Sequence, residues 1–273
     1  MIRYLFLTVI TASSVTLAQS KHLWSPESRI FNGEDAKNGE FPFMVSLRDG
    51  LNTRQIMCGG AIISEYFILT AGHCVEGNLP GDVFIVAGVT NLQQRGKWFA
   101  TTKMILHPEF NRSDYIKNDI GLMKVNESFV YTDVIKSILL PSVSEYLLGG
   151  IDVTAIGWGY SAFMPNFTLP NQLQKVALKT VDTQTCQSEL KQFNDTIYGN
   201  LQICVEGAKG TGMCYGDSGS PLVRGGDVVG LVSWGIPCAN GVPDIFTRVS
   251  HYVPWIQKQL AHDKSTTKPH RAT

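Results

Sequence analysis

The sequence predicts an all-β protein, on three observations. From Phe41 onward short apolar or alternating runs follow one another, each bounded by Gly, Pro or Asn. The runs fall into two sets, the first at 44–47, 61–69, 83–87 and 120–125, the second at 153–156, 174–178, 202–205, 221–223 and 228–232. No helical pattern intervenes, and strands in series without helices between them pack as antiparallel sandwiches or barrels.

Taken in order, the chain opens with one cationic residue (Arg3), an apolar stretch from Tyr4 to Ile10 and small residues around Thr16-Leu17-Ala18. That is the pattern of a signal peptide over residues 1–18, cleaved near Gln19. The stretch is too short and too interrupted by Thr and Ser to span a bilayer, and no later segment qualifies. Residues 19–29 are polar and end in Ser28-Arg29. Within the second strand set, Gly225-Gly226-Asp227 reads as a hairpin turn. Beyond it, Val253, Ile256 and Leu260 share one face of a helix from Tyr252 to Leu260, which packs onto the sheets. Residues 261–273 form a polar tail.

Composition bounds the function classes. With 44% hydrophobic and 17% charged residues, the chain can bury a sizeable core. It carries 23 basic and 23 acidic residues; three of the basic and one of the acidic lie in residues 1–29, leaving 20 and 22. That balance is no footprint for a nucleic-acid partner, and no segment points to a membrane partner. Secretion makes the six cysteines disulfide candidates, although their spacing alone leaves the pairing open. Close Cys-x-x-Cys or His-Glu-x-x-His spacing is lacking, so neither a metal nor another cofactor is expected.

Three stretches carry chemistry. In Gly212-Met213-Cys214-Tyr215-Gly216-Asp217-Ser218-Gly219-Ser220-Pro221, Ser218 is flanked by glycines that let a substrate carbonyl approach the backbone. Alone, this segment is equally ordinary turn chemistry. Leu69-Thr70-Ala71-Gly72-His73-Cys74 supplies an imidazole, and Asn118-Asp119-Ile120-Gly121 supplies a carboxylate that opens an apolar run. A serine hydroxyl is a poor nucleophile at neutral pH until an imidazole takes its proton, and the imidazolium needs a carboxylate to hold its tautomer and charge.

These motifs, in the order His, Asp, Ser, resemble the chymotrypsin/trypsin family of serine endopeptidases, whose triad is a standard worked case of nucleophilic catalysis. The resemblance runs from Ile30 to about Leu260. It implies two antiparallel six-stranded barrels, about 30–140 and 141–250, within a protease domain at 30–260. The active site lies between them, and a short C-terminal helix follows. It implies His73, Asp119 and Ser218 as catalytic groups, and the N–H groups of Gly216 and Ser218 as the oxyanion hole. Ser233, in Ser233-Trp234-Gly235, is implied as a partner of Asp119, and Trp234 as part of the strand on which substrate pairs. Residues 19–29 become an activation peptide: cleavage after Arg29 by a trypsin-like protease would free the Ile30 amine to pair with Asp217. The implied disulfides are Cys58–Cys74, Cys186–Cys204 and Cys214–Cys238. Protein protease inhibitors join substrates as implied partners of a monomer. Sequons at Asn111, Asn126, Asn166 and Asn194 are available for glycosylation. The segment 89–98, which carries glutamates in calcium-binding members, has none here. Gly72, Ser220 and Phe31-Asn32 depart from the family pattern, without removing a catalytic group.

Specificity rests on the pocket. Gly212 occupies the floor position where trypsins place an aspartate, and Gly235 leaves the wall open, with Met213 and Tyr215 adjacent. Ile116 is expected against the substrate residue one further from the cut. Asp244, in Val242-Pro243-Asp244-Ile245-Phe246, stands where the family has glycine. Its carboxylate faces the pocket, or is hydrogen-bonded away from it, or is covered by Met213. The Gly212 and Asp244 pair resembles arthropod chymotrypsins and the crab collagenolytic serine proteases. Cleavage after large apolar residues is therefore expected, with secondary cleavage after Arg or Lys. Trypsin-like or elastase-like specificity is the alternative within the enzyme class. A non-catalytic, partner-binding homologue is the alternative outside it, and the presence of all three triad residues disfavours it.

Overall fold

The computed structural model describes residues 33–50, 55–160, 170–208, 210–236 and 241–266. The signal and activation segments, Asn166 and Cys238 lie outside them. A two-residue strand, β1 (Glu34–Asp35), precedes a closed barrel of six strands: β2 (Met44–Asp49), β3 (Ile56–Ile62), β4 (Phe67–Thr70), β5 (Val83–Ala87), β6 (Lys97–Leu106) and β7 (Gly121–Val125). They pair antiparallel in the order β2-β3-β4-β7-β6-β5, and β5 returns to β2.

The second barrel comprises β8 (Asp152–Gly157), β9 (Gln174–Val181), β10 (Gln202–Glu206), β11 (Pro221–Arg224), β12 (Asp227–Trp234) and β13 (Asp244–Arg248). Its order is β9-β10-β13-β12-β11-β8, closed by β8 on β9, with β1 added outside β9. Two helices complete the fold, α1 (Thr183–Leu190) and the terminal α2 (Val249–Thr266). The two six-stranded antiparallel barrels and the terminal helix are as expected from the sequence.

Burial explains why some strands alternate and others do not. Along β9, Val176 and Leu178 point inward while Lys175 and Lys179 point out, the period-two pattern of a strand with one wet face. β4 and β7 are apolar on both faces because each side is covered. Ile68 and Met123 enter the first barrel core, whereas Leu69 and Leu122 pack between the barrels against Val228, Tyr252 and Ile256. Each such aliphatic burial contributes about 1.5–3 kcal/mol before the entropy of ordering is subtracted.

The structure corrects the sequence reading in four places. The run 61–69 is two strands, folded back at 63–66, where the Ser64 hydroxyl accepts the Phe67 N–H at 3.2 Å. α1 breaks the expectation of no helix between strands; Asp182 caps it, accepting from the N–H groups of Gln184 and Thr185. Its only buried residues are Cys186 and Leu190, too few for a helical period to show. The terminal helix is longer than 252–260, and β6 and β13 had no counterpart in the reading. Among the described residues no helix is long and apolar enough to cross a membrane.

Candidate active site

Asp119 lies in the turn that leads into β7, only 1% exposed. Its Oδ1 accepts the backbone N–H of His73 at 2.8 Å. Its Oδ2 accepts from His73 Nδ1 at 2.8 Å and from the Ser233 hydroxyl at 2.6 Å. A buried carboxylate is costly unless hydrogen-bonded, and these donors meet that cost. Because a carboxylate can only accept, Nδ1 carries the proton and Nε2 remains free to act as a base. His73 itself sits in a 3₁₀ turn, Gly72–Cys74, tied to β3 by the Cys58–Cys74 disulfide. A methyl at Gly72 would lie 2.9 Å from the Phe110 ring and 3.0 Å from the Ile120 nitrogen, so glycine at this position fits the tighter packing here.

Ser218 is brought to this turn from the second barrel by main-chain contacts. Gly59 N–H, on β3, donates to the Ser218 carbonyl at 2.8 Å, and Gly219 N–H to the Val232 carbonyl at 2.9 Å. Gly219 is left-handed (φ 73°), and a methyl there would lie 2.3 Å from the Thr70 hydroxyl and 3.1 Å from the Ala71 nitrogen. Only a residue without a side chain lets the serine loop close against the strand that delivers His73. Among the described residues, the N–H groups of Gly216 and Ser218 meet no protein acceptor.

Asp217 is fully buried. Gly159 N–H donates to its Oδ1 at 2.7 Å, and Cys214 N–H to its Oδ2 at 3.0 Å. Side chains at Gly157 or Gly159 would fall about 2 Å from the carboxylate oxygens, so the slot exists because both are glycine. Burial pushes the Asp217 carboxyl up to about 7 against the pull of those two N–H groups. Among the described residues no cation pairs with it. The neighbouring Ser220 hydroxyl, also buried, has no hydrogen-bond partner among them either.

The cavity beside Ser218 has a volume of about 180 Å³ and is lined by Met213, Cys214, Tyr215, Val232, Ser233, Trp234, Gly235 and Asp244. Gly212 is buried but not among its lining residues, and Ile116 is likewise absent from it. Asp244 shows two of the orientations weighed from the sequence at once. Met213 N–H donates to its Oδ2 at 2.7 Å, while its Oδ1 lies 3.4 Å from where a Gly235 side chain would begin. Burial first, and then the charge of Asp217, push the Asp244 carboxyl up to about 7, opposed by the Met213 N–H. Met213 and Cys214 are consecutive, so one dipeptide hangs both buried acids.

Several residues at the site were invisible in the sequence. The Thr247 hydroxyl, on β13, donates to the Asp119 carbonyl at 2.6 Å across 128 positions. The loop before Asp119 carries three left-handed residues, Tyr115, Ile116 and Asn118. It is fastened to the second barrel: Tyr198 donates to Asp114 at 2.7 Å, Gln202 to the Tyr115 carbonyl at 3.0 Å, and the Tyr115 hydroxyl to the Asn194 carbonyl at 3.1 Å. The Tyr115 ring lies 6.4 Å from that of Trp234, which lines the cavity. No local motif marks a side chain whose partner is a loop on another barrel.

The described disulfides are Cys58–Cys74 and Cys186–Cys204. Cys214 is also disulfide-bonded, and its expected partner Cys238 is outside the described residues. The metal-ligating types that converge among the described residues are Cys58, His73 and Cys74, and the two thiols are spent in a disulfide. Asn111, Asn126 and Asn194 are exposed.

A histidine–aspartate pair from one barrel, and from the other a serine that borders a substrate-sized cavity on a loop bonded to the first barrel, define a serine hydrolase of the two-barrel class. The family model described as Trypsin matches residues 30–256, and the chain belongs to that family of serine endopeptidases. It is 38% identical over 229 residues to Chymotrypsin-2 of Vespa crabro, covering 84% of this chain and 99% of that protein. It is 34% identical over 231 residues to Trypsin theta of Drosophila melanogaster, covering 84% and 86%. Its substrates are accordingly proteins or peptides.

Proposed function

We propose that the chain is secreted as a precursor and, once cut after Arg29, hydrolyses peptide bonds mainly after large apolar residues, with secondary cleavage after Arg and Lys. The observation that carries the specificity is the cavity beside Ser218. Its walls include Met213, Val232 and Trp234, no side chain intrudes from Gly235, and among the described residues its only carboxylate is Asp244. An apolar slot of this kind favours Phe, Tyr, Leu or Met, and the Asp244 oxygen beneath Gly235 offers a basic side chain a partner.

In the reaction, Ser218 Oγ attacks the scissile carbonyl carbon as His73 Nε2 takes its proton, and Asp119 holds the imidazolium that forms. The carbonyl oxygen, now anionic, accepts from the N–H groups of Gly216 and Ser218. His73 returns the proton to the leaving amine, and water, deprotonated by the same imidazole, releases the acyl group. The Ile30 ammonium freed by cleavage pairs with Asp217, answering the buried, unpaired acid. Glycans are carried at Asn111, Asn126, Asn166 and Asn194. At Asn126 the side-chain oxygen already accepts the Ala100 N–H at 3.0 Å, leaving the amide nitrogen for the sugar.

A fluorophosphonate label on the Arg29-cleaved form, with Ser218→Ala beside it, tests the catalytic assignment. Labelling and turnover are expected in the parent only. The variant should lose on the order of 10⁴- to 10⁶-fold, a range carried over from subtilisin; activity within about tenfold of the parent means a different nucleophile. A cleavage profile over a peptide library tests specificity: strong preference for Arg and Lys over Phe and Leu overturns the apolar reading. Secondary basic cleavage that persists in Asp244→Gly overturns the role of Asp244.

A further inference from the structure

Asp119 occupies the centre of a three-residue turn closed by the Ile120 N–H on the Asn118 carbonyl at 2.8 Å. The residue before it, Asn118, is left-handed at φ 53°, a conformation that persists at a non-glycine position only where surroundings hold it. What holds it is its own side chain, fastened at both ends. Nδ2 donates to the Glu109 carbonyl at 2.7 Å, and Oδ1 accepts from the Tyr252 hydroxyl at 3.0 Å. A carbonyl can only accept, so the amide nitrogen must face Glu109, and its oxygen then faces Tyr252.

Tyr252 is a rigid anchor. It is 2% exposed, on α2, with its ring edge-on to His107 at 5.3 Å and to His251 at 4.8 Å. Burial holds both imidazoles below the usual histidine range, so they flank the ring uncharged at neutral pH. Burial, and then the charges of Asp119 and Glu109, hold the Tyr252 hydroxyl above the usual tyrosine range, so it keeps the proton it donates.

We infer that Tyr252 is a positioning residue for the catalytic carboxylate: through Asn118, its hydroxyl fixes the backbone turn from which Asp119 reaches His73. Ser233 and the His73 N–H orient the carboxylate once it is delivered, and Thr247 holds the Asp119 carbonyl. None of these holds the residue immediately before Asp119; the backbone bridge between Asn111 and Lys117 ends one position short of it, and the Asn118 amide holds that last position. The terminal helix thereby takes part in catalysis without touching substrate. The inference rests on the assignment of His73, Asp119 and Ser218 as the catalytic groups.

The test is Tyr252→Phe in the Arg29-cleaved enzyme, which removes one oxygen and keeps the ring. With a peptide anilide substrate, kcat is expected to fall about tenfold with KM unchanged within about twofold, because a small misplacement of the triad acts on the chemical step. The acid-side midpoint of the kcat/KM profile is expected to move down, since a less well placed carboxylate supports the imidazolium less. Asn118→Gly, which keeps the left-handed backbone accessible, should reproduce both effects. The double variant should be no worse than either single one, because both act through the same bond. A lowered melting temperature with kcat and pH profile unchanged overturns the inference, as does multiplication of the two losses in the double variant. If Tyr252→Phe does not fold, an unchanged kcat and pH profile in Asn118→Gly overturns it alone. A parent enzyme without Ser218-dependent activity would instead break the underlying catalytic assignment.

Discussion

Asp244 makes the specificity of this cavity depend on pH, in a way that can be separated from catalysis. Burial raises its carboxyl to about 7, so below that pH it is neutral and the cavity is wholly uncharged. With a midpoint at 7, it is about one part in ten ionised at pH 6 and about nine in ten at pH 8. Only the anion attracts a basic side chain. The ratio of kcat/KM for an Arg substrate to that for the matching Phe substrate should therefore rise about tenfold over the two pH units centred on the midpoint. Any pH dependence of the chemical step shared by the two substrates enters both terms and cancels. In the cleaved enzyme, an ammonium on Asp217 removes the repulsion that Asp217 adds, so the midpoint moves down from 7 and the rise shifts to lower pH. The assay is a pair of anilide substrates identical except at the residue before the cut, run on the parent and on Asp244→Asn. The amide oxygen of Asn can still accept from Met213 N–H, so the variant removes the charge while keeping that bond. A ratio flat with pH in the parent, or a rise that survives in Asp244→Asn, would refute the reasoning.

Other outcomes follow from the same geometry. Gly219→Ala forces a side chain into a left-handed site 2.3 Å from the Thr70 hydroxyl; fluorophosphonate labelling and denaturant unfolding should both show a loss, and near-parental values would mean the serine loop is not locked against β4. Ser220→Ala deletes a buried hydroxyl that has no hydrogen-bond partner among the described residues and keeps the Cβ, so urea unfolding should show a gain of about 1 kcal/mol; a comparable loss would mean the hydroxyl is bonded. Arg29→Gln should leave an uncleaved, nearly inactive precursor, and full activity from it would remove the precursor reading. On the proposed activation, pairing with Asp217 would raise the pKa of the Ile30 ammonium in the cleaved parent, so the pair would be intact below that value and lost as pH rises through it. A decline of activity at alkaline pH that reverses on return to neutral pH is the expected profile.

The amino-acid sequence by itself determined most of the barrel strands, the two sets into which they fall, and the identity of the chemical groups. Alternation and turn residues are local signals, and His73, Asp119 and Ser218 each sit in a motif readable within a few positions. The split at Ile63–Tyr66 was not legible because β3 and β4 are apolar right up to the turn, with both faces covered. α1 was not legible because it is short and buries only two side chains. The environment of the site was a matter of tertiary structure alone. Asp244 divides its two oxygens between Met213 N–H and the cavity, the Tyr115 ring stands beside Trp234, and Thr247 and Tyr252 suspend Asp119 from elements more than a hundred residues away. Hydrogen-bond partners and dielectric are set by what is packed around a group. In a protein built from two barrels, that packing comes from the part of the chain that is distant in sequence.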